Sequence, residues 1–190
     1  GKKMSADSFK DVRRSGLIAI RLDKDDALKS ALLVAKGDDV LLGSNNGQSI
    51  RFKESDIREM GRSAGGVRAI SLGKGDSVVS VDAIRKGDND GSFLVMSENG
   101  LGKKTSIKEY KVQKRGGSGV LTAKITPKTG KLIIGKIVKS EGEGEMVAIS
   151  KKGQVIRVEL SAIPSLGRQT QGVTVMKLRA GDTIASLTIL

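Results

Sequence analysis

Two cations stand directly before a glycine-rich run in the middle of the chain. Lys114 and Arg115 precede Gly116 and Gly117 in the segment QKRGGSG, residues 113–119. Because glycine has no Cβ, the backbone of such a loop can approach a phosphate closely and offer its N–H groups. The flanking cations add an attraction that weakens with salt. This segment therefore predicts phosphate binding, and a tight loop that needs glycine for its geometry alone is the alternative.

A second set of cations follows three short turns of the chain. In a strand, alternate side chains face opposite ways, so Arg51 and Lys53 are expected to face solvent while Phe52 packs inward. A cation at the same place in successive units would form a curved positive stripe, which suits a bent duplex. Ordinary solvated strand faces are the alternative. The cations of this set are Arg51, Lys53, Lys103, Lys104 and Arg157.

A third set of cations precedes a Gly-Val or Gly-Leu pair, in loops that correspond to the loop with Lys114 and Arg115. Its members are Arg13, Arg14, Arg62 and Arg168. Lys108 and Lys111 lie beside the glycine-rich loop and complete the candidate phosphate contacts. We expect residues 103–119 to be the strongest part of the interface.

Catalytic chemistry has little support in the sequence. The chain has no histidine and no cysteine, which removes the commonest general base and the usual zinc ligands. The segment GLGKKT, residues 100–105, fails the phosphate-loop spacing. Tyr110 ends the segment GKKTSIKEY (102–110), and Phe9 ends the similar segment GKKMSADSF (1–9). Because phenylalanine cannot be a nucleophile, a packing role is favoured for Tyr110. Glu141, Glu143 and Glu145 alternate with glycine, as in solvated hairpin tips. We expect no enzyme activity, metal or cofactor.

The charge balance favours a polyanionic partner. The chain has 34 basic and 21 acidic residues, a net charge of +13. Residues 85–138 hold most of the excess, at +8, whereas residues 35–84 are neutral. Aromatic residues make up only 2%, which leaves few platforms for stacked bases and favours duplex over single strands. No apolar run is long enough for a membrane span, so a cytoplasmic location is expected.

An internal repeat sets the spacing of these candidate cations along the chain. Turn glycines Gly47, Gly100 and Gly153 are spaced 53 and 53 residues apart. A Gly-Val pair begins at Gly66, Gly119 and Gly172 with the same spacing, and Gly16-Leu17 corresponds to it. The pattern predicts a partial unit at 1–34 and full units at 35–84, 85–138 and 139–190.

Each unit is predicted to be β. Apolar Asp39–Gly43 is followed by an Asn-Asn-Gly turn and by alternating residues 48–53, which indicates a hairpin. Further strands are predicted at 66–72 and 77–84, and short helical turns at 53–60 and 107–111. About four strands in roughly 50 residues are typical of propeller-type blades. The predicted fold class is all-β.

Several segments resemble one family. RFKESDIREMGRSAGGVRAISLGKGDSVVS (51–80), NGLGKKTSIKEY (99–110) and GRQTQGV (167–173) are similar to consecutive repeats of the C-terminal DNA-wrapping domain of bacterial DNA gyrase A. The corresponding protein of topoisomerase IV shares the repeat, but the order of the copies fits gyrase better. Gln113–Gly119 is close to the family's signature box and departs from it at Ser118, where a basic residue is expected.

The resemblance implies a β-pinwheel, a propeller variant whose blades exchange strands, here with about three and a half blades. It implies non-catalytic wrapping of double-stranded DNA around a basic rim, in an enzyme that introduces negative supercoils. The implied partners are duplex DNA, the rest of gyrase A, and gyrase B, in the bacterial cytoplasm at the nucleoid. A partial wheel leaves open strand edges that favour self-association. A protein-binding propeller without a nucleic-acid role, similar to chromosome-condensation regulator repeats, is the alternative.

Overall fold

The structure is a computed structural model that describes residues 1–139 and 142–190. Ser140 and Glu141 lie outside the described residues. The all-β prediction is confirmed. The strands are β1 (Asp39–Ser44), β2 (Gln48–Lys53), β3 (Val78–Ile84), β4 (Gly91–Ser97), β5 (Leu101–Ser106), β6 (Val120–Leu121), β7 (Leu132–Lys139), β8 (Glu145–Ser150), β9 (Val155–Glu159), β10 (Val173–Thr174) and β11 (Ile184–Ile189). Short 3-10 turns span Ala6–Phe9, Glu54–Asp56, Ile107–Glu109 and Leu160–Ala162.

Each full repeat is built on one antiparallel hairpin. The hairpins β1–β2, β4–β5 and β8–β9 turn at equivalent glycines, and Gly47 at the first turn has φ +85°. A positive φ costs glycine little, which explains the regular glycine spacing. The last strand of each repeat returns to the other side of the first strand, as β3 pairs with β1. The three hairpins, each with its returning strand, therefore form the same three-stranded unit in each sheet.

The sheets are completed by strands from the following repeat. The strand orders are β3-β1-β2-β6, β10-β5-β4-β7 and β11-β8-β9. Strand β6 belongs to the second full repeat but pairs with β2 of the first, and β10 of the third pairs with β5 of the second. The strand exchange implied by the resemblance is confirmed. We call each contact between a hairpin's second strand and the next repeat a seam.

The prediction of a strand at 66–72 is wrong. This segment is extended, but no strand is assigned to it. Val67 exchanges two backbone hydrogen bonds with Gly1, each 2.8 Å long, whereas Ala69 and Ser71 bond to Gly116 and Gly117 of the following repeat. Because these partners lie in two separate segments, the segment forms no continuous ladder. The contact between Gly1 and Val67 is the first seam of the chain, between residues 1–3 and the repeat that follows.

The sheets pack through one set of edge strands. Strand β3 packs against β7, and β11 also contacts β7. Phe93 is fully buried at the junction of β7 and β3, where a methyl group on Gly135 would collide with its ring. Strands β3, β7 and β11 thus lie on the inner side. The second hairpin strands and the loops that follow them lie on the outer side, where a partner can reach them.

Candidate nucleic-acid interface

The glycine-rich loop starts from a residue fixed in the core. Tyr110 ends the 3-10 turn Ile107–Glu109 and is 1% exposed. Its ring packs edge-on against Phe93, with the centroids 5.7 Å apart, and its hydroxyl lies 2.6 Å from Thr122 Oγ1. Burial raises the pKa of Tyr110 to about 12, so the phenol stays neutral at physiological pH. The predicted packing role of Tyr110 is confirmed, and its phenolate is not available as a nucleophile.

From Tyr110 the loop crosses onto the preceding repeat. Gln113 N–H donates to Arg51 O at 2.8 Å, and Gly116 N–H donates to Ala69 O at 2.7 Å. Gly116 has φ +85°, a conformation that glycine adopts readily. Because its N–H is already used, Gly116 is not free to bind a phosphate through its amide. Gly117 is exposed and stays a candidate.

Arg115 fastens the loop. Its Nε donates to Asp56 O at 2.8 Å and its Nη1 donates to Arg68 O at 2.9 Å, so the half-buried guanidinium is bound to the preceding repeat. Arg168, 53 residues later, repeats this contact by donating from Nη1 to Leu121 O at 3.2 Å. The prediction that Arg115 and Arg168 are primary DNA contacts loses support, because both groups hold seams together.

Three lysines of the loop remain exposed. They are Lys108, Lys111 and Lys114. Lys108 makes an exposed ion pair of 3.2 Å with Asp90, which is weak in water. Residues 107–119 contain four cations and one acid, whereas the equivalent residues 54–66 contain two cations and three acids. The structure therefore concentrates exposed positive charge on this loop.

Two arginines of the preceding repeat flank the same loop. Arg68 is exposed, and its backbone carbonyl accepts a hydrogen bond from the Arg115 guanidinium. Arg58 is exposed and stands two residues after Asp56, whose carbonyl also accepts from Arg115. Sequence reasoning missed both. The signal for Arg58 was present, since it stands 53 residues before Lys111 and so shares its repeat position. We call Arg58, Arg68, Lys108, Lys111 and Lys114 the basic seam.

Lys103 and Lys104, which were predicted to contribute to a positive stripe of DNA contacts, are buried. Their residues are 1% and 4% exposed. Lys103 Nζ donates to Gly167 O at 2.6 Å, to Arg168 O at 2.7 Å and to Thr170 Oγ1 at 3.0 Å. Burial lowers the pKa of Lys103 to about 8. Lys104 Nζ donates to Leu160 O at 2.6 Å, and burial lowers its pKa as well. Both amines serve the third seam.

The expected exposed stripe also fails at Arg51. The guanidinium pairs with Asp39 at 2.7 Å and donates to Ile107 O and Tyr110 O, and the side chain is 12% exposed. Phe52 is buried and Lys53 exposed, as predicted. Arg157 is 66% exposed but is engaged with Glu145. Of this set, Lys53 has an exposed side chain and no hydrogen bond or ion pair among the described residues.

The cations of the earlier loops are exposed but more dispersed. Arg13, Arg14 and Arg62 all lie at the surface, on loops equivalent to the one that carries Lys114. They add exposed positive charge to these earlier loops. Within residues 1–139 and 142–190, no group of three or more acidic residues could hold a metal ion. The helical turns in the same ranges are all too short to cross a membrane.

Comparison with known proteins gives one family. The family model described as "DNA gyrase C-terminal domain, beta-propeller" matches residues 1–35, 38–85, 91–139 and 144–190. The DNA gyrase A protein of Staphylococcus epidermidis is 37% identical over 186 residues, which are 98% of this chain and 20% of that protein. Its counterpart from Mycobacterium tuberculosis is 39% identical over 188 residues, 98% and 22% of the two chains. The chain thus spans about a fifth of these relatives.

Solved structures show the same architecture. A DNA gyrase A C-terminal domain superposes with a TM-score of 0.83 at 28% identity, over 93% of this chain and 58% of that one. The C-terminal domain of DNA topoisomerase IV gives a TM-score of 0.91 at 22% identity, over 100% and 58% of the chains. The second likeness shows the fold alone. With the family model covering nearly all of its length, the chain belongs to the DNA gyrase C-terminal domain family, the non-catalytic β-pinwheel part of a type II topoisomerase.

Proposed function

We propose that this chain binds double-stranded DNA without sequence specificity and bends it along the outer side of the wheel. The observation that carries the proposal is the basic seam, a group of exposed cations from two repeats that a bound arginine brings together. The loop that carries Lys111 and Lys114 is bound to the preceding repeat through Gln113, Arg115 and Gly116, so these exposed cations are held near Arg58 and Arg68. Contacts to phosphate position a duplex but carry no direct sequence information.

The aromatic residues support a duplex partner. Phe52, Phe93 and Tyr110 are buried in the core, and Phe9 is 42% exposed. A single-strand binder stacks successive bases on exposed aromatic rings. One partly exposed ring gives no such platform, so phosphate contacts along a duplex are the better match for this surface.

The wider role follows from the family. As the C-terminal domain of gyrase A, the chain would present a wrapped DNA segment to the rest of gyrase A and to gyrase B. Strand passage in the parent enzyme would then introduce negative supercoils. Such a partner places the chain at the nucleoid in the bacterial cytoplasm. These steps are proposals for the whole enzyme, of which this chain is one part.

A pair of matched double variants tests the interface. Lys111→Ala/Lys114→Ala removes two charges from the basic seam, and Lys136→Ala/Lys139→Ala removes two from β7 on the inner side, where both lysines are also exposed. We expect the first variant to weaken binding to a fluorescent duplex by on the order of tenfold at low salt, and the second to have little effect.

Two results would contradict the proposal. Equal losses for the two variants would mean that only net charge matters, and unchanged binding for both would remove the basic seam as a contact. Binding that survives about 0.5 M salt would favour the protein-binding propeller, because contacts to phosphates are screened at that concentration.

A further inference from the structure

A second positively charged surface lies at the end of the sheets where the hairpins turn. We call it the turn end and define it by six loops, which are residues 44–48, 72–77, 97–101, 122–131, 150–154 and 176–183. These loops contain eight cations and three acids. The cations are Lys74, Lys124, Lys128, Lys131, Lys151, Lys152, Lys177 and Arg179, and all eight residues are exposed.

Hydrogen bonds join these loops into one surface across three repeats. Lys131 Nζ of the second full repeat donates to Gly75 O of the first at 3.3 Å. The Glu98 N–H donates to Lys131 O at 2.9 Å, and Ile184 N–H of the third full repeat donates to Glu98 O at 2.8 Å. The cations of the turn end therefore belong to neighbouring loops and not to three separate patches.

The three acids of the turn end are bound to backbone amides. Each carboxylate accepts an N–H group of a neighbouring turn, as a side chain that holds a turn in shape would do. These bonds are Asn46 N to Asp76 Oδ1 at 3.0 Å, Lys131 N to Glu98 Oε1 at 2.9 Å and Lys152 N to Asp182 Oδ1 at 3.0 Å. The acids are half-buried or buried, whereas the cations point to solvent, so the outward charge is more positive than the composition alone indicates.

The opposite end of the same strands is different, because its cations are paired with acids. Arg85 pairs with Asp38 at 2.6 Å, and Lys139 pairs with Glu143 at 3.4 Å. Within residues 1–139 and 142–190, none of the eight turn-end cations forms an ion pair with an acid. Exposed cations without acidic neighbours keep their attraction for a polyanion.

The turn end and the basic seam are different surfaces. The contact that holds the basic seam, Arg115 Nε to Asp56 O at 2.8 Å, lies beyond the last residue of β2. At the start of β2, Thr122 N–H donates to Gly47 O at 2.7 Å within the turn end. A strand of six residues spans roughly 20 Å. The basic seam lies along a sheet edge and the turn end across the strand ends, so one straight duplex segment cannot lie flat on both.

The composition of the turn end favours a nucleic acid over a protein partner. Seven of the eight cations are lysine, a residue that protein–protein interfaces contain less often than the rest of the surface. Leu72, 39% exposed, is the one exposed large apolar side chain of these loops, so an apolar interface core is lacking. The six loops contain no aromatic residue on which a single-stranded base could stack. Lysine acts as a point charge on phosphate, which matches the backbone of a duplex.

We propose that the turn end binds a second duplex segment while a first segment follows the outer side at the basic seam. The inference rests on the proposed function, because it takes the basic seam as the first DNA site. One chain then holds two duplex segments across each other, one along the sheet edges and the other across the strand ends. Both contacts go to phosphates, so neither depends on base sequence.

Sedimentation velocity of the full 190-residue chain with excess labelled duplex counts the duplexes that each chain binds. With a duplex of about 20 base pairs in about 50 mM salt, we expect the wild type to bind two duplexes. Lys124→Ala/Lys128→Ala removes two exposed turn-end charges and should weaken binding of the second duplex by on the order of tenfold, with the first unchanged. Its circular dichroism spectrum should match the wild type, because both side chains lie at the surface.

Two further variants remove the same number of charges elsewhere. Lys111→Ala/Lys114→Ala should weaken binding of the first duplex at the basic seam and leave the second in place. Lys136→Ala/Lys139→Ala on the inner side should leave both duplexes bound. Because the three variants have equal net charge, a difference between them reports position and not total charge.

Three outcomes would overturn the inference. They are a single duplex on each wild-type chain, equal losses from the turn-end and inner variants, and displacement of the second duplex by polyglutamate at a lower charge concentration than by unlabelled duplex. The last result would assign the turn end to an acidic protein. Failure of the proposed function looks different: the basic-seam variant would bind the first duplex normally, while the turn-end variant would still lose one duplex.

Discussion

Lys103 shows how a single residue can change its role through a distant neighbour. Strand alternation predicts correctly that Phe52 points inward and Lys53 outward, because one repeat contains the needed information. Lys103 is buried by residues 167–170, which are more than 60 positions away and belong to another repeat. The local alternation of polar and apolar residues cannot reveal burial by a segment of another repeat. Charged residues in β5 therefore look like surface residues in the sequence and are structural in the protein.

Replacing Lys103 should alter both stability and its dependence on pH. Lys103→Met leaves Arg168 O without its described donor, while Gly167 O keeps its bonds from Thr170, and the loss should cost about 1 to 3 kcal/mol of unfolding free energy near neutral pH. The pKa of Lys103 is about 8 in the folded chain and 10.5 in the unfolded chain. The unfolded state therefore binds more protons between these values, and the contribution of Lys103 to stability rises with pH across that window.

Urea unfolding at pH 7.5, 9 and 10.5 measures this effect for the wild type and for Lys103→Met. The stability gap between them should widen as pH rises. A gap that is constant with pH would show that Lys103 titrates normally in the folded chain. A gap that narrows would reverse the sign of the argument.

The structural elements divide into those that the sequence predicts and those that depend on a neighbour. The hairpins 39–53, 91–106 and 145–159 are predicted by alternation and by a turn glycine. Strands β6 and β10 contain only two residues each, and they exist because a preceding hairpin offers an edge. Resemblance, and not periodicity, predicted that exchange. Residues 66–72 are extended but form no strand, because their backbone bonds are divided between Gly1 and the loop at Gly116 and Gly117.

Replacing a seam cation should lower the free energy of unfolding more when its partner is buried than when its partner is exposed. Lys104→Met removes the ammonium that Leu160 O accepts at 2.6 Å and leaves that carbonyl with the Ile163 N–H alone, so we expect a loss of about 0.5 to 1.5 kcal/mol in unfolding free energy. Arg157→Met removes the cation at the equivalent position of β9, where the exposed guanidinium pairs with a partly exposed glutamate, so a much smaller shift is expected. Thermal unfolding of the two variants measures the contrast. Equal shifts would contradict the seam interpretation.

At the scale of the whole molecule, positive charge is uneven. Residues 85–138 carry a net +8, and two of their lysines are buried, so the exposed excess is smaller than the sequence indicates. Three of its exposed lysines, Lys108, Lys111 and Lys114, lie at the basic seam, whereas others, such as Lys136 on β7, lie elsewhere. The sequence predicted the polyanionic partner and the most basic loop, whereas the contribution of Arg58 and Arg68 depends on a contact between two repeats.

Binding to DNA should be steeply salt-dependent and should improve with duplex length. If about 6 to 10 phosphates are neutralised, affinity should fall by about 10³- to 10⁵-fold between 50 and 200 mM salt. Titration of duplexes of about 20, 40 and 100 base pairs, with a single-stranded control, would show whether the DNA follows the outer side beyond the basic seam. Bending the duplex costs roughly several kcal/mol, which further contacts must offset. Equal affinity at all lengths would restrict the interface to one seam.

The uniform seam also has a consequence for how such a domain can change in evolution. Each repeat meets its neighbours through the same few backbone contacts, set at a constant spacing of 53 residues in the full repeats. Tandem duplication or loss of one such unit would join identical surfaces and leave no mismatched junction. The number of blades can therefore change without a new hydrophobic core. Point substitutions in single loops then adjust the charge at the surface of each blade.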